Sequence, residues 1–274
     1  MNQNNPTNSP LPQGPNLPKH TDLPQGPAKR VAVRAMFDAI APRYDLLNRM
    51  LTFGMDRRWR RKAVRALHLP KGAQVVDIAC GTGDFCQDLE AAGLQAVGID
   101  LSAGMLASAQ QRHQAGKLQA PLVLADALCL PLHSRSADGI TCGFALRNVV
   151  ALDALFAELA RVLRPGGRAS LLEVAEPSNR LLRAGHQLYF AKAVPKIGGW
   201  LSDSAAYQYL PKSMAYLPPT AELLSMLKAQ GFSEVTHQQL SGGITQLITA
   251  TRTTPTPSTE DLLKREQGAA EIYL

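Results

Sequence analysis

The stretch Val75-Val76-Asp77-Ile78-Ala79-Cys80-Gly81-Thr82-Gly83-Asp84, followed one helix length later by Gly98-Ile99-Asp100, constrains this chain more than any other. An apolar run that breaks into a Gly-x-Gly turn, then a helix, then a second apolar run ending in an acid is how a βαβ unit holds an adenosine-containing cofactor. Two departures narrow the cofactor. A dinucleotide site carries a third glycine so that its helix packs closely on the strand, and here that position is Cys86. Asp84 puts a carboxylate into the first helical turn, where it repels the anion that the helix dipole should attract. S-adenosylmethionine has no phosphate, its sulfonium and ammonium tolerate nearby acids, and Asp100 can accept from both ribose hydroxyls. The pattern favours S-adenosylmethionine over NAD, with Gly81 and Gly83 shaping the turn and Asp77 supporting it from the strand.

The rest of the chain fits around this unit. Strands are predicted over 74–79, 95–100, 122–126, 138–145 and 168–175, with helices near 84–92, 102–115 and 151–164; the last ends at the stop signal Arg164-Pro165-Gly166-Gly167. Alternation of this kind implies a parallel sheet covered on both faces. A helix over 220–230 and strands over 234–240 and 244–252, joined by Ser241-Gly242-Gly243, add an antiparallel hairpin at the sheet edge. That ending suits a class I S-adenosylmethionine-dependent methyltransferase, a Rossmann-like α/β fold with a mostly parallel seven-stranded sheet, better than a dehydrogenase. At 274 residues and 45% hydrophobic content, one domain over 29–252 is expected.

Residues 1–28 hold seven prolines among Asn, Gln and Gly and no apolar periodicity, so they read as a disordered tail without the features of a targeting signal. Residues 253–274 read as a second tail. Helical spacing of Met36, Phe37, Ile40, Leu46, Leu47, Met50 and Leu51 places basic helices over 29–70, broken by Pro42 and Gly54. Residues 29–65 carry eleven Lys and Arg against Asp38, Asp45 and Asp56, so this segment alone is +8 and the remainder of the chain, whose total is +7, is nearly neutral. Such a segment can meet anionic lipid headgroups, meet nucleic acid, or be a solvated helix face. The strand–helix rhythm fails over 176–219, where Tyr189, Phe190, Trp200, Tyr207, Tyr209 and Tyr216 either cover a ligand or pack the insertion onto the domain. No run approaches the roughly 18 apolar residues of a membrane-spanning helix. Cys80, Cys86, Cys129 and Cys142 have no metal-site or paired spacing; they are expected on strands or strand edges as small hydrophobes, in keeping with a reducing cytoplasm.

Several separate signatures then appear in order: Phe37-Asp38-x-Ile40-Ala41-x-x-Tyr44-Asp45-x-x-Asn48, Phe53-Gly54-x-x-x-x-Trp59-Arg60-Arg61, the cofactor turn, and Phe144-Ala145-Leu146-Arg147-Asn148-Val149. Leu163-x-Pro165-Gly166-Gly167, Pro195-x-Ile197-Gly198 and Asp203-x-x-x-Tyr207-x-Tyr209-Leu210 follow. With these the chain closely resembles the ubiquinone/menaquinone biosynthesis C-methyltransferase family from about Val33 to Arg252.

The resemblance implies methylation of a ring carbon of a polyprenylated quinol by S-adenosylmethionine. It implies cofactor contacts at Thr82, Asp100, and Asp126 with Ala127; Gly143 stands where the family has a serine, so only backbone contact is expected there. It places Arg147 and Asn148 beside the quinol, Arg147 to stabilise the developing quinolate and Asn148 to fix a water or the hydroxyl. A structural ion pair is the plain alternative for Arg147. Tyr44 either completes a proton path or packs the cover of the site, and His186 reads as ordinary surface or core.

A methyltransferase for another small hydrophobic acceptor, such as a sterol or polyketide, is the nearest competing function; an RNA-binding scaffold lacks any recognisable module. Departures such as Ile244-Thr245-Gln246-Leu247 lean the acceptor towards demethylmenaquinol. The expected setting is the cytoplasm, at the inner face of the membrane, with peripheral contact to anionic lipid, no nucleic-acid partner, and a homodimer as the expected assembly.

Overall fold

The computed structural model describes residues 25–188 and 213–253. Helices α1 (Gly26–Ile40), α2 (Tyr44–Leu51) and α3 (Asp56–Arg65) precede β1 (Gln74–Ile78), α4 (Asp84–Ala91), β2 (Gln95–Asp100), α5 (Ala103–Gln114) and β3 (Leu122–Leu124). Next come β4 (Ala137–Gly143), α6 (Leu152–Val162), β5 (Leu163–Val174), α7 (Arg180–Leu188), α8 (Thr220–Ala229), β6 (Phe232–Leu240) and β7 (Thr245–Arg252). The strands form one sheet in the order β3-β2-β1-β4-β5-β7-β6. All run parallel except β7, which lies antiparallel between β5 and β6, so β6 forms the edge. This is the mostly parallel seven-stranded sheet expected, with its C-terminal hairpin folded inwards.

Both faces are covered, which is why Val75, Val76 and Ile78 can follow one another in an almost uninterrupted apolar strand. On one face Leu155, Phe156 and Leu159 of α6 and Leu223 and Leu227 of α8 pack against Ile140, Leu171 and Ile248. On the other, Trp59 and Val64 of α3, Phe85 and Leu89 of α4 and Ala109 of α5 cover Val75, Leu172 and Leu247. Each fully buried Leu or Phe contributes about 1.5–3 kcal/mol, against about 0–1 for an exposed ion pair, so these two layers hold the ends of the strands in place.

Local chemistry moves several boundaries. α1 starts at Gly26 with Pro27 in its first turn, where the missing N–H costs nothing, so order begins before residue 29. α6 stops at Val162: Leu163 already pairs with Ala137, and Arg164-Pro165-Gly166-Gly167 form an irregularity before Arg168 pairs with Gly139. β4 ends at Gly143 because Phe144 turns to a φ of 58°. Cys86 falls in α4 and Cys129 in an exposed turn, so only Cys80 and Cys142 match the strand placement expected. Of the six aromatics in 176–219, only Tyr216 is among the described residues, and it lies 3.8 Å under the Lys29 ammonium. The motifs over 195–198 and 203–210 and both tails up to 24 and from 254 lie outside them. Among the described residues no helix is long and apolar enough to cross a membrane.

Candidate active site

Two cavities open at the carboxyl ends of β1, β2 and β4, where ligands of open parallel sheets bind. The chain leaves β1 through three residues in the left-handed region, Ala79 at φ 54°, Gly81 at 56° and Gly83 at 88°. A Cβ on Gly83 would meet Leu118 Cδ2 at 2.8 Å, so the turn into α4 demands glycine on two counts. Gly81 N donates to Asp100 Oδ2 and Ser102 N to Asp100 Oδ1, both at 2.8 Å. Asp100 therefore ties the β1 turn to the end of β2, and each oxygen keeps a lone pair for a hydroxyl. Burial pushes its carboxyl above the usual range, and the N–H groups of Ser102, Gly81 and Leu101 oppose that rise.

The first cavity is a cleft lined in part by Gly81, Asp100, Asp126, Ala127, Gly143 and Asn148. Val33 and Phe37 of α1 roof it. Asp126 caps its own loop through Leu128 N at 3.0 Å and pairs with Arg30 of α1 at 2.9 Å. Gly143 has a specific cause: a Cβ there would come within 2.5 Å of Phe85 Cε2, so the Phe85 ring fills the space a serine side chain would need.

The second cavity is larger and mostly apolar. Met36, Ile40, Leu47, Leu51, Trp59 and Ile244 contribute to its wall, and Arg147 and Thr245 bring polar groups to it. The two cavities share Phe37, Tyr44, Ala79, Gly81, Gly143 and Phe144. A molecule in one can therefore touch a molecule in the other across Tyr44 and the Gly143-Phe144 turn.

Arg147 and Asn148 sit in one 3-10 turn, Leu146–Asn148, and face different cavities. Arg147 edges the apolar cavity, where it is also held in place: its guanidinium pairs with the fully buried Glu173, donates to Phe144 O at 2.7 Å and to Ser213 Oγ at 3.1 Å. The structural ion pair and the position at the cavity thus coexist. Asn148 lines the cofactor cleft and reaches Phe144 O at 3.4 Å, so it stands on the cofactor side of the junction expected to hold the quinol. Tyr44 edges both cavities and stacks edge-on against Phe37 with ring centres 6.1 Å apart. Burial raises its hydroxyl, while a hydrogen bond with Asn48 and the charge of Arg147 pull it down.

Other expected cofactor residues do not reach the first cleft. Asp77 is buried, accepts from Thr141 Oγ1 at 2.7 Å and from Cys86 Sγ at 3.7 Å, and is pushed up to about 7 by burial. Thr82 gives its hydroxyl to Asp45 Oδ1 at 2.6 Å, and Gly83 packs inside against Leu118. Asp84 is compensated from two sides, by Arg112 at 2.7 Å and Arg60 at 3.1 Å; burial works to raise its carboxyl, but these two cations hold it below its usual range. Its charge is therefore no free repellent, and of the two departures read from the sequence only Cys86 still argues against a pyrophosphate. The side chain of His186 lies outside the described residues. Sequence reasoning missed Glu173, whose signal is an acid inside Leu171-Leu172-Glu173-Val174. It also missed the roles of Asp38 and Asp45 within a motif it had singled out.

The model of the ubiE/COQ5 methyltransferase family matches residues 26–252. The chain is 43% identical over 224 residues to the ubiquinone/menaquinone biosynthesis C-methyltransferase UbiE of Syntrophotalea carbinolica, covering 81% of this chain and 94% of that one. It is 42% identical over 219 residues to the demethylmenaquinone methyltransferase of Deinococcus radiodurans, covering 79% and 90%. Among solved structures, a SAM-dependent methyltransferase of Thermotoga maritima superposes with a TM-score of 0.57 at 21% identity, covering 81% of this chain and all of that one. The [4+2]-cyclase SpnF superposes with 0.61 at 17% identity, covering 86% and 100%, so the fold by itself does not specify methyl transfer.

Proposed function

The chain belongs to the ubiE/COQ5 methyltransferase family and is an S-adenosylmethionine-dependent C-methyltransferase of quinone biosynthesis; we propose that its acceptor is a polyprenylated quinol seated in the apolar cavity, with demethylmenaquinol preferred. The observation that carries this reading is the junction of the two cavities at Tyr44, Gly143 and Phe144. A cleft with two carboxylates suits an adenosine-bearing cation, and an adjoining apolar space suits a ring with a prenyl tail. Ile244 and Thr245, which supported the lean to the menaquinol precursor, line that second space.

S-adenosylmethionine, when bound, supplies an electrophilic methyl group. The protein's own task is to hold the acceptor ring in line and to help its phenolic proton leave, so that the ring carbon becomes nucleophilic. Arg147, immobilised by Glu173, presents a fixed positive charge to the acceptor cavity and stabilises the quinolate there. Tyr44 stands at the junction to pass the proton, and Asn148, on the cofactor side of it, orients the hydroxyl or a water. Asp100 and Asp126 hold the cofactor's ribose and adenine ends, with Gly81, Ala127 and Gly143 giving backbone contact.

The same reading brings the protein to a membrane surface at the inner face of the cytoplasmic membrane. Phe53, Leu181 and Leu182 line the acceptor cavity and are 75%, 83% and 51% exposed, so its mouth is apolar on the outside. Arg49, Arg57 and Arg58 are exposed in the surrounding helices. Such a mouth suits an anionic bilayer, from which a prenylated quinol would enter.

The test is to offer the purified protein both reduced quinone precursors with labelled S-adenosylmethionine and to identify products by mass. Faster methylation of demethylmenaquinol is expected. Methylation of neither precursor would overturn the acceptor class, and equal rates would overturn the preference.

A further inference from the structure

Asp38 and Asp45 belong to one motif, and both reach from the N-terminal helices to the loops that shape the cofactor cleft. Asp38 Oδ1 accepts from Ser102 Oγ at 2.5 Å and from Gly104 N at 2.9 Å. Ser102 N is one of the backbone groups that hold Asp100. Asp45 accepts from Thr82 Oγ1, between the two glycines of the β1 turn, and pairs with Arg112 of α5. The same helical segment supplies Met36, Phe37, Ile40, Tyr44, Leu47 and Leu51 to the acceptor cavity.

Apolar packing does little to hold α1. Its one buried apolar residue, Met36, sits in a small cluster with Val33, Phe37, Ile40 and Tyr216, apart from the two layers that cover the sheet. Polar contacts position it instead: the two made by Asp38 end on the loop after β2, and Asp45 of the adjoining α2 ends on Thr82 in the turn after β1. Charge-assisted hydrogen bonds of this kind are the strong ones in a partly buried setting.

We propose that Asp38 and Asp45 are positioning residues that link cofactor binding to assembly of the acceptor cavity, so that each ligand tightens the other. This rests on the reading of the second cavity as the quinol site. A ligand that orders the Gly81-Thr82 and Asp100-Ser102 loops also orders the helices latched to them, and those helices are the wall of the acceptor cavity. Reciprocity then requires the acceptor to tighten the cofactor by the same factor.

The experiment measures a thermodynamic cycle on the full chain with S-adenosylhomocysteine, which cannot react, and a short-chain prenylated naphthoquinone. Hydrogen exchange over residues 26–51 is read in parallel. In the unmodified protein, S-adenosylhomocysteine is expected to tighten quinone binding by on the order of 10-fold or more and to slow exchange over 26–51. Asp38→Ala and Asp45→Ala are expected to bring the coupling factor close to one, whereas Asp38→Asn, which keeps the accepting oxygen, retains it. Gly104→Ala checks the same latch without touching a charge: its Cβ would sit 3.0 Å from the Asp38 backbone and wedge α1 away, also abolishing coupling. Coupling that survives in the alanine variants, or no coupling in a protein that binds both molecules, overturns the proposal. Failure of the quinone to bind at all overturns the reading of the cavity, and the exchange response to S-adenosylhomocysteine alone still decides the latch.

Discussion

Arg147 and Glu173 form an ion pair in which the carboxylate has no exposed surface and the guanidinium edges the acceptor cavity. Breaking such a pair from one side leaves an uncompensated buried charge, at about 3–5 kcal/mol. Arg147→Ala is therefore expected to lower the melting temperature as well as activity, and activity loss alone says little. The informative variant is Arg147→Met with Glu173→Gln, which removes both charges at similar volume. Scanning fluorimetry should show much of the stability returning, while methyl transfer stays down by on the order of 100-fold or more. Recovery of turnover along with stability would make the pair purely structural.

Asn148 gives a cleaner separation. Asn148→Ala is expected to change the melting temperature little and to cut single-turnover methylation by on the order of 100-fold. Raising the pH should restore part of that loss, because a quinol already ionised needs less help with its proton. A rate deficit that is flat with pH would remove Asn148 from the proton path.

Asp100 joins the β1 turn to the end of β2 through Gly81 N and Ser102 N. Asp100→Ala should weaken S-adenosylmethionine binding by about 1–3 kcal/mol, measured by calorimetry, since it removes a charged acceptor. Asp100→Asn keeps an accepting oxygen and should fall between. Affinity should also decline on acidification above the ordinary aspartate range, because burial raises this carboxyl and protonation removes the acceptor.

Asp77 sets a pH dependence of stability. Its carboxyl titrates near 7 in the fold against 3.8 when unfolded, so between those values the native state holds more protons than the unfolded chain. Stability from this group is fully present below about 4 and is lost as pH rises to about 7. Asp77→Asn mimics the protonated acid and should melt higher than the unmodified protein at pH 8 and alike at pH 4. Equal melting at pH 8 would mean that Thr141 and Cys86 already compensate the charged form.

Most of the sheet was legible because buried strands and amphipathic helices leave periodic apolar patterns, as Val75 to Ile78 and Leu152 to Val162 do. Ends were less legible where a left-handed residue or an irregularity decides them, as at Phe144 and at Arg164 to Gly167. In the site, Asp100 and the Gly81 turn followed from position after a strand, whereas Asp126 came only from the family resemblance. Asp77 lies on β1 as its place in the apolar run suggests, and both it and Thr82 line the second cavity; their partners, Thr141 and Asp45, are 64 and 37 residues away, and no local pattern reveals a contact over that separation. Glu173 was overlooked because a lone acid in a strand reads as a solvent-facing residue until a cation is found opposite it.

The basic N-terminal segment divides in the structure, and that sharpens the membrane prediction. Lys29 and Arg60 are buried, Lys29 donating to Val149 O at 2.9 Å and Arg60 binding Asp56, Asp84 and Asp88, so neither can meet a lipid. Arg49, Arg57 and Arg58 remain exposed near Phe53. Replacing these three by Gln should cut partitioning onto anionic vesicles by on the order of 100-fold at low salt, at about 1 kcal/mol for each charge near the surface. Phe53→Ser with Leu181→Ser should weaken binding to neutral and anionic vesicles alike and leave its salt dependence unchanged, because it removes apolar insertion and no charge. Sedimentation with both vesicle types at low and high salt separates the two contributions. Binding that ignores both sets of substitutions would place the membrane contact elsewhere on the protein.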